Sequence, residues 1–210
     1  MNNNFSPKVY LQFLFEFAIL KQGYFSAIML NNEIISHLLI TFVYFLLVSV
    51  FRGKLDVSLV WLWAGAFLGM FLLDIDHLIY WFITNPEEED SRQARALFKT
   101  KNYKGMYLLL KRVHETHSHL IFHTAIFQVV LLILSFYLLT AGGSVLGSAL
   151  VLSLNLHLLK DEWFDFFGGK KEALKNWLFW QIKDFSAEKY LTPFLVGASI
   201  LFLILTVIFK

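Results

Sequence analysis

The sequence predicts an all-α polytopic membrane protein with about five transmembrane helices plus amphipathic helices on the cytoplasmic face. Three observations predict it. The composition is 57% hydrophobic, above the ~45–50% of soluble domains even when glycine is counted there. The excess is gathered into runs long enough for a bilayer, which needs about 20 apolar residues. Between the runs lie segments in which lysines flank an apolar stripe at helical spacing, the pattern of a helix lying on an anionic membrane surface. Residues 1–210 read as a single integral membrane domain, with an N-terminal interfacial segment over 1–33 and a helical membrane core over 34–209. The net charge of +2 gives no footprint for nucleic acid, and the lack of cysteine excludes disulfides and thiolate metal sites.

The elements follow in order. Ser6 and Pro7 read as an N-cap and a first helical residue, opening a helix that Gly23 stops. Its apolar stretch, Val9 to Leu20, is short and carries Gln12 and Glu16, so it is expected to lie in the interface. A short sixth span taking in Tyr24 to Leu30 is the alternative. The first confident span is Ile34 to Phe51, with His37 near its start read as solvated or hydrogen-bonded. The second is Val57 to Ile83, where Gly65 and Gly69 form a small-xxx-small helix-packing face. Asn85 then caps a new helix, Pro86 takes its first position, and Glu87, Glu88 and Glu89 suit the positive end of the dipole. Over 103–113, Tyr103, Met106, Tyr107 and Leu110 fall on one stripe that continues to His114 and His117. The third span runs from about His119 to Thr140, and the fourth from Ser144 to the segment around Asp161. A second interfacial helix is expected over 172–185, with Leu174, Trp177, Leu178, Ile182 and Phe185 on one face. The last span is Leu191 to Phe209.

Charge sets the expected orientation. Of the 18 Lys and Arg, all but Arg52, Lys54 and Lys210 fall on the side that holds the N-terminal segment and residues 84–118 and 160–190. The positive-inside rule makes that side cytoplasmic. Three polar stretches then fall at one depth: Asp74 to His77 in the second span, His114 to His123 at the start of the third, and His157 to Asp161 ending the fourth. Each ionised aspartate at mid-membrane costs ~2.5–3.5 kcal/mol on insertion scales. The nearest cationic side chains along the chain are distant, at Lys54 and Arg92. A metal ion or a basic partner from elsewhere must therefore meet these acids.

His157 and Asp161 are at i and i+4, and Asp74 and His77 at i and i+3, so each pair shares a helix face. Asp76 reaches the same ion only where the helix ends or bends. The expected metal ligands are Asp74, Asp76, His77, His117, His157 and Asp161. His119 and His123 are accounted for by packing and hydrogen bonding. Carboxylate and imidazole without thiolate suit a divalent metal ion, zinc or manganese, one or two per chain. Such a site activates water and stabilises charge on an attacked phosphoryl or acyl group. His114 is the expected general acid or base, and Arg112 the expected phosphate binder.

Asp74-Ile75-Asp76-His77, Thr116-His117-Ser118 and His157-Leu158-Leu159-Lys160-Asp161 together resemble the motifs of the YdjM-like family of membrane-bound metal-dependent hydrolases. The likeness covers roughly residues 60–165. It implies a multi-span helical fold and metal-dependent hydrolysis. The family commonly has proline before the first aspartate, where this chain has Leu73, and His-Arg where it has Arg112-Val113, with His114 two residues later. The function expected is hydrolysis of an ester or phosphoester, in a lipid headgroup or a lipid-linked substrate because the site would open at headgroup depth, with membrane lipids and an anionic lipid surface as partners. A proton- or ion-coupled transporter and a catalytically silent scaffold are the alternatives.

Overall fold

The computed structural model describes residues 33–113, 117, 119–142, 144–183 and 186–209, and among these every regular element is helical. The expected N-terminal helix and sixth span lie outside the described residues. In chain order the elements are α1 (Glu33–Arg52), α2 (Ser58–Leu72), α3 (Ile75–Ile79), a π-helical turn (Tyr80–Thr84), α4 (Glu89–Lys99), α5 (Tyr103–Val113), α6 (Ala125–Thr140), α7 (Val145–Phe167), α8 (Lys171–Phe179) and α9 (Ala187–Ile208).

The centre is α7, which packs against α1, α2, α6, α8 and α9. From Ser148 to Glu162 nearly every side chain is buried, as a helix surrounded on all sides requires. Two of its polar side chains donate to neighbouring helices. The Ser153 hydroxyl donates to the Ala66 carbonyl at 2.6 Å, and the Asn155 amide donates to Ser135 Oγ at 2.9 Å. The main core joins Phe45 of α1, Leu62 and Ala66 of α2, Leu132 of α6, Leu152 and Leu159 of α7, and Phe202 of α9.

The small-xxx-small reading holds. Gly65 and Gly69 are both buried, and a Cβ at either would collide with the α7 backbone, at the Leu146 and Leu150 carbonyls respectively. Facing outward are apolar side chains such as Val130, Ile133, Phe136, Leu203 and Val207, all at least half exposed. An apolar exterior around a polar-seamed interior is what a bundle seated in lipid presents.

Three segments are long and apolar enough to cross a membrane: Ile34–Arg52, Ser58–Thr84 and Ala187–Ile208. The helix α6 is shorter, and α7 carries Lys160, Asp161, Glu162 and Asp165 in its last turns. The five-span expectation is thus met by length and apolarity at three places.

Boundaries move where side chains take over backbone groups. The third apolar run does not become helical at His119. Its helix begins at Ala125, because Thr124 caps it by accepting from the Phe127 N–H at 3.2 Å. The acidic helix starts at Glu89 rather than after Asn85, because Asn85 to Glu88 form a turn closed by the Glu88 N–H to the Asn85 carbonyl.

The two amphipathic stripes also divide differently than a surface-lying reading expects. On α8, Leu174, Leu178 and Phe179 are buried against Leu191 and Leu195 of α9, so that stripe faces protein. On α5, Met106 and Leu109 pack on Trp81 and Ala94, while Tyr103, Tyr107 and Leu108 remain exposed.

Candidate metal centre

The second apolar segment is not one continuous helix. It stops at Leu72, turns at Leu73 and Asp74, and resumes at Ile75. Within this turn the Asp76 and His77 N–H groups reach back only three residues, to the Leu73 and Asp74 carbonyls. The π-helical turn that follows buries Trp81. This bend brings Asp74, Asp76 and His77 towards the polar end of α7 and the segment before α6.

Among the described residues one trio brings a donor atom from each member within 4.8 Å of the others: His37 of α1, and His157 and Asp161 of α7, all buried. His37 Nε2 stands 3.0 Å from Asp161 Oδ1. His157 Nε2 stands 3.2 Å from Asp161 Oδ2 and 3.7 Å from Asp74 Oδ1. Lys160 adds its ammonium 2.9 Å from Asp161 Oδ1.

The far nitrogen of His157 fixes its chemistry. Nδ1 lies 2.7 Å from the Met70 carbonyl oxygen. A carbonyl only accepts, so Nδ1 carries the proton and, in the neutral ring, Nε2 keeps its lone pair. That lone pair faces two carboxylates and makes no well-directed hydrogen bond. A lone pair set against carboxylate oxygens calls for a proton or a cation between them. Tethering the distal N–H to a carbonyl is also how metal-ligating histidines are oriented.

A second network adjoins the trio. Asp76 is buried and its carboxylate accepts from the Ile121 N–H at 3.1 Å, from the Phe122 N–H and from His123 Nδ1 at 3.2 Å. Asp76 thus pins the non-helical stretch ahead of α6. Further along, His77 Nδ1 and His117 Nδ1 are 2.8 Å apart, and His117 Nε2 is 2.6 Å from Asp90 Oδ2. Asp90 accepts the His117 Nε2 proton and also the Trp81 indole N–H, at 2.9 Å. His117 therefore presents its Nδ1 lone pair to the His77 Nδ1–H. Tyr80 stacks on the His117 ring with centroids 4.0 Å apart. The five imidazoles form a file, His37–His157–His123–His77–His117, with successive centroids 3.9, 5.9, 5.8 and 5.1 Å apart.

Of the six expected ligands, the fold brings His157 and Asp161 together and adds His37, with Asp74 approaching His157 at 3.7 Å. Asp76, His77 and His117 lie in the adjoining network and hydrogen-bond there. Arg112 is exposed and donates to Gln93 Oε1 at 3.0 Å, on the α4–α5 pair. The expected acid or base, His114, lies outside the described residues, as do Thr116 and Ser118.

Sequence reasoning read His37 as solvated or hydrogen-bonded rather than as a ligand, and passed over Asp90. The signal for His37 was present: it sits at the start of the first span, at the depth the basic-residue asymmetry assigns to the other clusters. Asp90 closes a run of glutamates that reads as a solvated helix start. Glu162, buried and held by the Gln128 amide at 3.2 Å, was likewise passed over.

His117 and Asp90 lie outside the spans, and both titrate below their usual ranges. Burial lowers His117, outweighing the pull of Asp90 in the other direction. Burial would raise Asp90, but the hydrogen bonds from His117 and Trp81 outweigh it. For His117, the unfolded chain binds the proton first as pH falls. Its contribution is therefore full above about 6.5, the ordinary histidine value, and is lost as pH falls from there through the folded value. Protonation would also set two N–H groups face to face across the 2.8 Å His77–His117 contact. Thermal unfolding in detergent is expected to show lower stability at pH 5.5 than at 7.5, with a smaller difference in His117→Gln. An equal pH response in the variant would assign the loss to other groups.

Comparison with protein-family models, with curated proteins and with solved structures finds no match to this chain.

Proposed function

We propose that the chain is a metal-dependent hydrolase of the membrane, acting on an ester or phosphoester of a lipid-linked substrate. The observation that carries the reading is the His37–His157–Asp161 trio, buried, thiolate-free and with the His157 lone pair already oriented. Imidazole and carboxylate donors of this kind suit zinc or manganese. The bound ion would lower the pKa of a water molecule and polarise the attacked group. His37, His157 and Asp161 would hold it, with Asp74 at the edge, where its side chain retains about a third of its exposure. Arg112, turned to Gln93, has no part in this reading.

Elemental analysis of protein purified with trace-metal control tests it. The native chain is expected to hold a transition metal, and His157→Ala and Asp161→Ala each to lose it by at least tenfold in affinity. The double variant should lose little more than either alone, because groups serving one ion are not additive. Full metal content in both single variants would end the reading.

The file of five imidazoles favours a second reading, a proton-coupled carrier in which the same groups relay protons. It predicts a transport signal and no response of metal content.

With α6 and α7 counted beside the three long segments, the basic-residue asymmetry supports a trio that lies towards the cytoplasmic face. The chain has no cysteine, so single cysteines at positions 53 and 101 report the orientation directly. Labelling of position 101 from outside intact cells, with none at 53, would reverse it. On this orientation the exposed Tyr103, Tyr107 and Leu108 of α5 meet an anionic lipid surface, with Lys104 beside them.

A further inference from the structure

We propose that His123 is a further ligand of the ion held by His37, His157 and Asp161, with Asp76 as the carboxylate that orients it. This rests on the metal reading above and extends it to a residue that packing alone had accounted for.

Three observations converge. First, His123 is buried and its Nδ1 lies 3.2 Å from Asp76 Oδ2. Asp76 also accepts from the Ile121 and Phe122 N–H groups, so it is held as an acceptor and Nδ1 carries the proton. Second, this leaves the lone pair on Nε2, and that atom is buried with no hydrogen-bond partner among the described residues. A buried acceptor with nothing to accept from is an exception that asks for an unseen donor or ion. Third, the His123 ring stands 5.9 Å from the His157 ring, centroid to centroid, at 71°. The His157 ring belongs to the trio, so an ion held there would have the His123 ring beside it.

His123 and His157 are therefore built alike. Each has Nδ1–H tethered to an oxygen, a carboxylate in one case and the Met70 carbonyl in the other, and each has Nε2 buried without a well-directed partner. A carboxylate behind a ligating imidazole fixes its tautomer and raises its basicity. Asp76 would then act at one remove from the ion while also anchoring the backbone that carries His123. The ligand set becomes three imidazoles and one carboxylate, drawn from α1, α7 and the stretch before α6.

The test uses the full chain in detergent, loaded with one equivalent of Co2+. The native protein is expected to bind it and show visible ligand-field bands. His123→Ala is expected to weaken Co2+ binding at least 10- to 100-fold, the range that even loss of an orienting partner produces, and to shift the bands. A structural role alone would change melting without moving the bands. Pulsed electron paramagnetic resonance of the Cu2+-loaded native chain gives the same answer without a variant that must fold. Echo modulation from three imidazoles is expected, and from two would overturn the proposal. Unchanged affinity and bands in His123→Ala would also overturn it and leave the metal reading standing. Absence of Co2+ and Cu2+ binding by the native chain would overturn both.

Discussion

Asp76→Ala is expected to destabilise the protein by about 3 kcal/mol or more, with the loss centred on residues 119–123. The carboxylate accepts from two backbone N–H groups and one imidazole, and it is almost wholly buried. Each donor left unsatisfied costs about 1–3 kcal/mol. Asp76→Asn keeps one acceptor oxygen and is expected to lose less. Unfolding in micelles, followed by circular dichroism, measures both. A native melting profile in Asp76→Ala would remove the carboxylate from this anchoring role. If the segment loosens while α6 stays helical, Thr124 is a sufficient cap without it, since its hydroxyl already accepts from Phe127.

Gly69→Ala is expected to have an effect as large, by a different route. The added Cβ would lie 2.6 Å from the Leu150 carbonyl oxygen and 2.6 Å from Ser153 Cβ. Neither is the tip of a flexible chain, so α2 and α7 must move apart. Overpacking of this kind typically costs about 1–3 kcal/mol, occasionally more. Two contacts cross the same interface, the Ser153 hydroxyl to the Ala66 carbonyl and His157 Nδ1 to the Met70 carbonyl. Separation would loosen the hydrogen bond that orients His157, so metal affinity should fall together with stability. Gly197→Ala is the control, because a Cβ there meets nothing within 4 Å. In a helix interior that change is neutral or stabilising by up to about 1 kcal/mol. Equal melting of the Gly69 and Gly197 variants would contradict the close approach.

What the sequence made legible was periodic or compositional. Apolar runs located α1, α2, α6, α7 and α9, and the Gly65–Gly69 spacing located the tightest helix contact. The i, i+4 spacing of His157 and Asp161 placed two of the three members of the candidate trio. Lone polar residues carried no such signal. His37 stands far along the chain from the other histidines, and its place beside His157 and Asp161 appears only when α1 packs on α7. Asp76 carries the right chemistry for a ligand, but the bend at Leu73 and Asp74 turns it to backbone N–H groups far along the chain. Leu120, Ile121 and Phe122 are as apolar as the helix after them, so hydropathy extends that helix too far. An amphipathic stripe reads the same against lipid or protein, which is why α8 looked surface-lying although Leu174 and Leu178 face α9.

The break after Leu72 also fixes how the protein meets a bilayer in thickness. The unbroken part, α2, has 15 residues, and at 1.5 Å each it rises about 22 Å. The hydrocarbon core of a typical bilayer is about 30 Å. With α3 and the π-helical turn the segment runs on to Thr84, 27 residues in all, or about 40 Å at the same rise, so it outreaches the core and can tilt to match it. Counted from Ser58, Asp74 lies about 24 Å along the segment, about 6 Å short of the far edge of such a core. Headgroups at that edge would then stand about one helical turn from the open side of Asp74, with no need for the protein to lift a lipid out of the membrane.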